Sequence, residues 1–198
     1  MKLVGLWLAL AFLLRSETID KVAIAIGHRA ITQSEIDEEL RVAALLNHQP
    51  VVRTQDSRRD AADRLIQQFL IKREMQLNRY PAPSDAELAG YLDQVEKDSG
   101  GPSHLAAALR TYDLDKSTLE SHLTLQLETL KFIETRFRPE LSVSDADVQA
   151  LAGRQATTLD KDSVRRRLTE QRADEALGIW LEEARKQFDI VYLDNTLR

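Results

Sequence analysis

Two short stretches of period two bracket this chain, and the residues between them repeat every three or four positions. Near the start, Val22, Ile24 and Ile26 alternate with Ala23 and Ala25, Gly27-His28 offers a two-residue turn, and Arg29 to Thr32 read as a second short strand. Near the end, Asp189-Ile190-Val191-Tyr192-Leu193 returns to the same alternation. A lone hairpin is marginal in water, so the first two strands need a third, and the terminal stretch is the candidate. The two ends are therefore expected to meet. The expected fold class is mainly α, with five to seven helices and a small antiparallel sheet formed by the N-terminal hairpin and the strand at Ile190 to Leu193. With only 7 Gly and 5 Pro in 198 residues, there is too little turn chemistry for a sandwich or barrel.

The helices announce themselves by caps and stripes. Thr32 and Ser34 compete to cap the first, with Glu35 and Asp37 three residues on, and Ile36, Leu40, Ala43, Ala44 and Leu46 form its apolar face up to Asn47. A polar stretch, His48 to Ser57, ends it. The next helix carries Ala62, Leu65, Ile66, Phe69, Leu70 and Leu77 and stops at Tyr80-Pro81-Ala82-Pro83, since proline lacks the needed donor. Ser84 with Glu87 is a capping box for a helix with the stripe Leu88, Tyr91, Leu92 and Val95, which Ser99-Gly100-Gly101-Pro102 breaks. A short helix holds Leu105, Ala108 and Leu109. Ser117 with Glu120 is then expected to cap the clearest helix, whose core stripe is Leu119, Leu123, Leu127, Leu130, Ile133 and Phe137. Ser144 starts a shorter one with Val148 and Leu151. Residues 153–161 lack an apolar period and read as a loop. From Asp162 a last helix carries Val164, Leu168, Ala176, Leu177, Trp180, Ala184 and Phe188. No repeat or low-complexity tract interrupts the sequence.

The N-terminus is of another kind. Lys2 is followed by Leu3 to Leu14, twelve apolar or glycine residues, before Arg15 and Ser16. A spanning helix needs about 20 apolar residues, so this run suits the apolar centre of a secretory signal covering residues 1–16. The cleavage pattern is poor, because Leu14 stands where a small residue belongs, so an uncut anchor facing the same compartment is the alternative. The formal charge of the chain is −5, and removing Lys2 and Arg15 makes the remainder more acidic, so a basic nucleic-acid footprint is lacking. The absence of Cys excludes disulfides, thiolate zinc sites, a cysteine nucleophile and a lipidated cysteine.

Chemistry-bearing residues are sparse. No two of His28, His48, His104 and His122 have the i,i+4 spacing of a helical metal pair, and His28 and His122 read as exposed polar residues. There is no nucleophile-elbow, zinc-protease or Gly-rich phosphate motif, hence no expected catalytic residue, metal, cofactor or ATP site. Asp113 with Asp115, Asp145 with Asp147, and Asp160 with Asp162 lack the ligand count of a calcium loop and suit helix first turns. Arg165-Arg166-Arg167 points three ways round one helix and reads as solvated. Tyr80, Tyr91, Tyr112, Phe137 and Trp180 lie on or beside apolar stripes, which makes them core, with a client groove as the other use.

The segments IDKVAIAIGHRAITQSEIDEELR, DAADRLIQQFLIKREMQ, PSDAELAGYL and TLESHLTLQLETLKFIETRF leading to SVSDADV together resemble the N-terminal chaperone domain of the SurA-like family, whose relatives include PpiD and PrsA. The resemblance spans about residues 19–152, and the terminal helix with IVYLD resembles the family's C-terminal segment that packs back on that domain. It implies a domain of residues 17–152 completed by residues 162–198. One departure stands out: where the family carries parvulin-type isomerase domains, residues 153–161 are far short of the roughly 100 residues such a domain needs. Isomerase activity, and enzyme activity generally, is therefore not expected, and no catalytic residue is carried over. What the resemblance implies is a periplasmic, ATP-independent holdase whose partners are unfolded outer-membrane or secreted polypeptides, with membrane contact only through an uncut residues 1–16. A structural adaptor of the envelope, soluble or tethered, is the competing expectation, and no client-binding residue is assigned.

Overall fold

The computed structural model describes residues 20–155 and 160–198, with side chains left out at 152–155. The segment read as a signal, residues 1–16, lies outside the described residues.

The two ends do meet. β1 (Val22–Ile26) pairs antiparallel with β2 (Arg29–Thr32) on one side and with β3 (Ile190–Tyr192) on the other, giving the order β2-β1-β3. Gly27 opens the connecting turn at φ +55°, a left-handed conformation that glycine adopts without strain. The register slips between Val22 and Ile24, an irregularity that puts Val22 outside at 40% exposure although the alternation assigned it to the inner face. Ala23, at the slip, offers its carbonyl to the amides of Leu193 and Asp194 and so ties down the end of β3. On each edge strand an arginine takes one carbonyl, Arg29 that of Ala30 and Arg198 that of Tyr192, which blunts pairing with another chain.

The helices are α1 (Gln33–Leu46), α2 (Gln55–Asn78), α3 (Asp85–Asp98), α4 (Pro102–Thr111), α5 (Lys116–Arg136), α6 (Asp145–Gln155) and α7 (Lys161–Lys186). Thr32 wins the competition to cap α1 and forms a reciprocal box with Glu35, as Ser84 does with Glu87 on α3. Two expectations about starts need correction. Asp115, not Ser117, caps α5, because its carboxylate reaches the Thr118 amide at 2.7 Å and leaves Ser117 inside the helix. The loop at 153–161 is shorter than its composition suggests. Residues 153–155 continue α6, where no proline stops the backbone, and Asp160 caps α7 through the amides of Asp162 and Ser163. Residues 156–159 lie outside the described residues.

Two apolar clusters hold these elements. The larger joins the sheet to α1, α2, the C-terminal end of α5 and the second half of α7, with Phe132 fully buried among Tyr80, Phe137 and Trp180. The smaller gathers Val42, Leu45, Leu105, Leu109, Leu119 and Leu123. α5 serves both, and this defeats its expected stripe. Leu119 and Leu123 face the small cluster, but at 100° per residue Phe132 falls about 220° away from Leu119, toward the large one. Leu130, assigned to the core by spacing, is 51% exposed, and Leu77 on α2 is 62% exposed, its place taken by Met75. α3 carries no fully buried residue, so Leu88, Tyr91, Leu92 and Val95 are half-buried rather than core.

Candidate functional site

α1 is buried on almost every side: Ile36 and Leu40 enter the large cluster, Val42 and Leu45 the small one. Between those two faces the sequence places Glu39, the one charged residue buried among the described residues, at 4% exposure. A carboxylate there must be paired. α2 supplies Arg64, whose Nε donates to Oε1 at 2.6 Å, and α5 supplies His122, whose Nδ1 lies 3.2 Å from Oε2. His122 was expected to be exposed; its side chain is 11% exposed and packed into this seam. The row continues. Gln126, one helical turn along α5, sits 3.1 Å from His122 Nε2, and Tyr91 of α3 donates its hydroxyl to Gln126 Oε1 at 2.7 Å.

The row thus joins α1, α2, α3 and α5 along the boundary between the two clusters. Burial is the strongest influence on Glu39 and pushes its carboxyl up, but the contacts from His122 and then Arg64 outweigh it and hold the group below its ordinary value. A cavity of about 260 Å³ lies on one side, walled by Glu38, Leu65, Phe69, Lys72, Ser121 and Leu125. A larger cleft of about 540 Å³ lies on the other, between α1, α2, α3 and α5. Glu39, Gln68 and His122 line both. The cleft has an apolar part, Leu46, Ile71, Val95 and Leu177, and a wall of amides, Asn47, Gln67, Gln68, Gln94 and Gln126.

Acid–base chemistry at His122 is disfavoured by this geometry. Ser121 is its neighbour in sequence, but one ring nitrogen faces Glu39 and the other Gln126, so a nucleophile's hydroxyl would have to displace Gln126 before His122 could deprotonate it. Among the described residues no group of three or more His, Asp or Glu is placed to hold a metal, and no helix is long and apolar enough to cross a membrane.

The other singled-out residues serve the scaffold. Asp115 and Asp160 are caps, Asp147 accepts from the Ser144 amide and hydroxyl, and Asp145 pairs with Arg165 at 2.5 Å. Asp162 also reaches Arg165, while Arg166 donates to Ser163. His28, His48 and His104 are exposed. Tyr112 donates to the Gln49 carbonyl at 2.9 Å and ties the α4–α5 corner to the end of α1. Glu39, Arg64 and Gln126 were not singled out from sequence. The available signal was position: Glu39 and His122 each sit beside an apolar stripe residue, Leu40 and Leu123, at the margin where a stripe meets a second packed face.

Compared with protein-family models and with curated proteins, the chain gives no match.

Proposed function

We propose that this chain is an ATP-independent holdase of the SurA-like kind, which keeps unfolded outer-membrane or secreted polypeptides from aggregating in the periplasm. Residues 1–16 serve as its export signal, or as an inner-membrane anchor where they are not removed. The reading is carried by the cleft beneath α3. An extended polypeptide presents a peptide donor and acceptor at every residue, and a wall of Asn and Gln side chains offers both functions without reading sequence. The apolar part of the cleft gives client side chains a place to bury, at about 25 cal/mol per Å² before ordering costs. Binding of this kind is broad and weak.

The test mixes the purified chain with a denatured outer-membrane barrel protein and follows light scattering. Suppression of aggregation at stoichiometric excess is expected, and unaltered aggregation overturns the proposal. Capture of folded proteins alone would support the adaptor instead. A protease-coupled proline assay is expected to stay at background, in keeping with the absence of a parvulin-like stretch in the sequence.

A further inference from the structure

The row from α3 to α1 has a direction. With Gln126 presenting its amide nitrogen to His122 Nε2 at 3.1 Å, Nε2 accepts and the ring hydrogen is assigned to Nδ1, toward Glu39. At the other end the Tyr91 hydroxyl donates to the Gln126 carbonyl at 2.7 Å. A second proton taken from solvent has one place to go, Nε2, where it meets the amide N–H₂ of Gln126. Two donors cannot share that position. The amide must turn over, offering its oxygen to the imidazolium and its nitrogen to Tyr91, and the phenol must then accept where it donated. Its bond to α5 is exchanged for a reversed and weaker one, because a phenol oxygen is a poorer acceptor than an amide oxygen, and its own hydrogen is turned out into the cleft.

α3 is built to feel this. It has no fully buried side chain, it is entered through Pro81 and Pro83, and it is left through Gly100 and Gly101 at φ +89° and +105°. Two side-chain links to α5 are described, Tyr91 to Gln126 and Glu87 to Lys131. The charged and titratable groups around His122 are Glu35, Glu38 and Glu39 from α1, Arg64 and Lys72 from α2, Arg29 from β2, and Asp98 with Tyr91 from α3. Of these Glu39 is in contact, 3.2 Å from Nδ1.

We propose that Glu39, His122, Gln126 and Tyr91 form a proton-operated latch that sets how firmly α3 closes the cleft. Its role in client binding rests on the reading of that cleft as the client site. The experiment is amide hydrogen exchange of residues 85–98 in the full chain, corrected for intrinsic rates and referenced to α2, from about pH 8 to about pH 5, where imidazoles take up their second proton. Opening of α3 is expected to rise on acidification by up to about fivefold, the limit set by losing one ordinary hydrogen bond outright. Tyr91→Phe should open α3 to the same degree at both pH values, and His122→Gln should remove the pH response. Equal protection of the unaltered chain at both pH values, or a pH response that survives in His122→Gln, overturns the latch. Should His122→Gln fail to fold, ¹⁵N spectra of the unaltered chain decide: an Nδ1–H tautomer at about pH 8 is expected, and an Nε2–H tautomer refutes the mechanism. Because exchange needs no client, a responsive α3 with no suppression of aggregation would sink the holdase and leave the latch standing.

Discussion

Glu39→Gln isolates what the buried seam contributes to stability. The substitution keeps shape and removes charge, and it also turns one of two acceptor oxygens into a donor. In the native chain those oxygens face Arg64 Nε at 2.6 Å and His122 Nδ1 at 3.2 Å, both donors. A glutamine can accept from one only. Arg64 has a 41% exposed side chain and can turn to water, whereas His122 at 11% cannot, so the amide oxygen should stay with the histidine and Arg64 should leave. The loss is then one charge-assisted bond without a stranded imidazole, about 1–2 kcal/mol rather than the 3–5 kcal/mol of an orphaned buried charge. With a urea dependence of about 2 kcal/mol per molar, the unfolding midpoint should fall by about 0.5–1 M. Glu38→Gln, one residue away and exposed, should stay within about 0.5 kcal/mol of the unaltered chain.

The pH dependence gives a second reading of the same substitution. The folded carboxyl of Glu39 lies below its ordinary value of 4.5, so the unfolded chain binds the proton more readily, and the stabilisation is fully present above that value. It fades as pH falls through the folded value. The gap between the native chain and Glu39→Gln should therefore shrink as pH falls below 4.5 from its size at about pH 5. A midpoint equal to that of Glu38→Gln, or a gap that persists undiminished well below pH 4.5, would refute the assignment of Glu39 as a charged, paired group.

Three further outcomes follow from other parts of the fold. Phe132→Ala removes a fully buried ring lying 4.7 Å from Trp180 and 5.4 Å from Phe137 between centroids, and should cost about 3–5 kcal/mol in urea unfolding. Thr32→Ala deletes the cap that joins β2 to α1 and should cost about 1 kcal/mol, seen as a lower Tm; an unchanged Tm would mean Ser34 can replace it. Glu87, held at about 2 by the Lys131 ammonium and then by the Ser84 amide and hydroxyl, should titrate there in carboxyl ¹³C spectra and move up toward 4.5 in Lys131→Met. Retention of the low value in that variant would leave the Ser84 cap as its main cause.

Caps, breakers and the sheet were legible because each depends on residues close in sequence or on a period. Ser84 with Glu87 is a local exchange of two hydrogen bonds, and Gly27 is needed where it stands by the geometry of one turn. Asp115 was misjudged in favour of Ser117 since both stand just ahead of the apolar stripe that begins at Leu119 and only the backbone path selects between them. The irregularity at Ala23 was invisible for the same reason, as its carbonyl is claimed by residues near the other end of the chain. The stripe of α5 failed at Leu130, where a helix serving two clusters changes the side it buries, and that of α2 failed at Leu77 in its last turn, where Met75 is buried instead. Glu39 and His122 were illegible as a pair, because nothing near either residue identifies a partner on another helix.

That last failure bears on why the seam is polar at all. Apolar residues at Glu39 and His122 would merge the two clusters into one, and replacing a buried ion pair by well-packed apolar groups is often neutral or stabilising. Stability alone therefore gives no reason for the row. Its position does. The row runs between cavities on both sides and reaches α3, the helix with the least burial, while the sheet that closes the chain lies within the large cluster and is secured by Ala23, Leu193 and Leu197. The fold keeps its long-range closure in the apolar part and puts directional hydrogen bonds where a helix borders a cleft. Apolar contacts are insensitive to which atom holds a proton, so only a polar seam can make the hold on α3 depend on the protonation of His122.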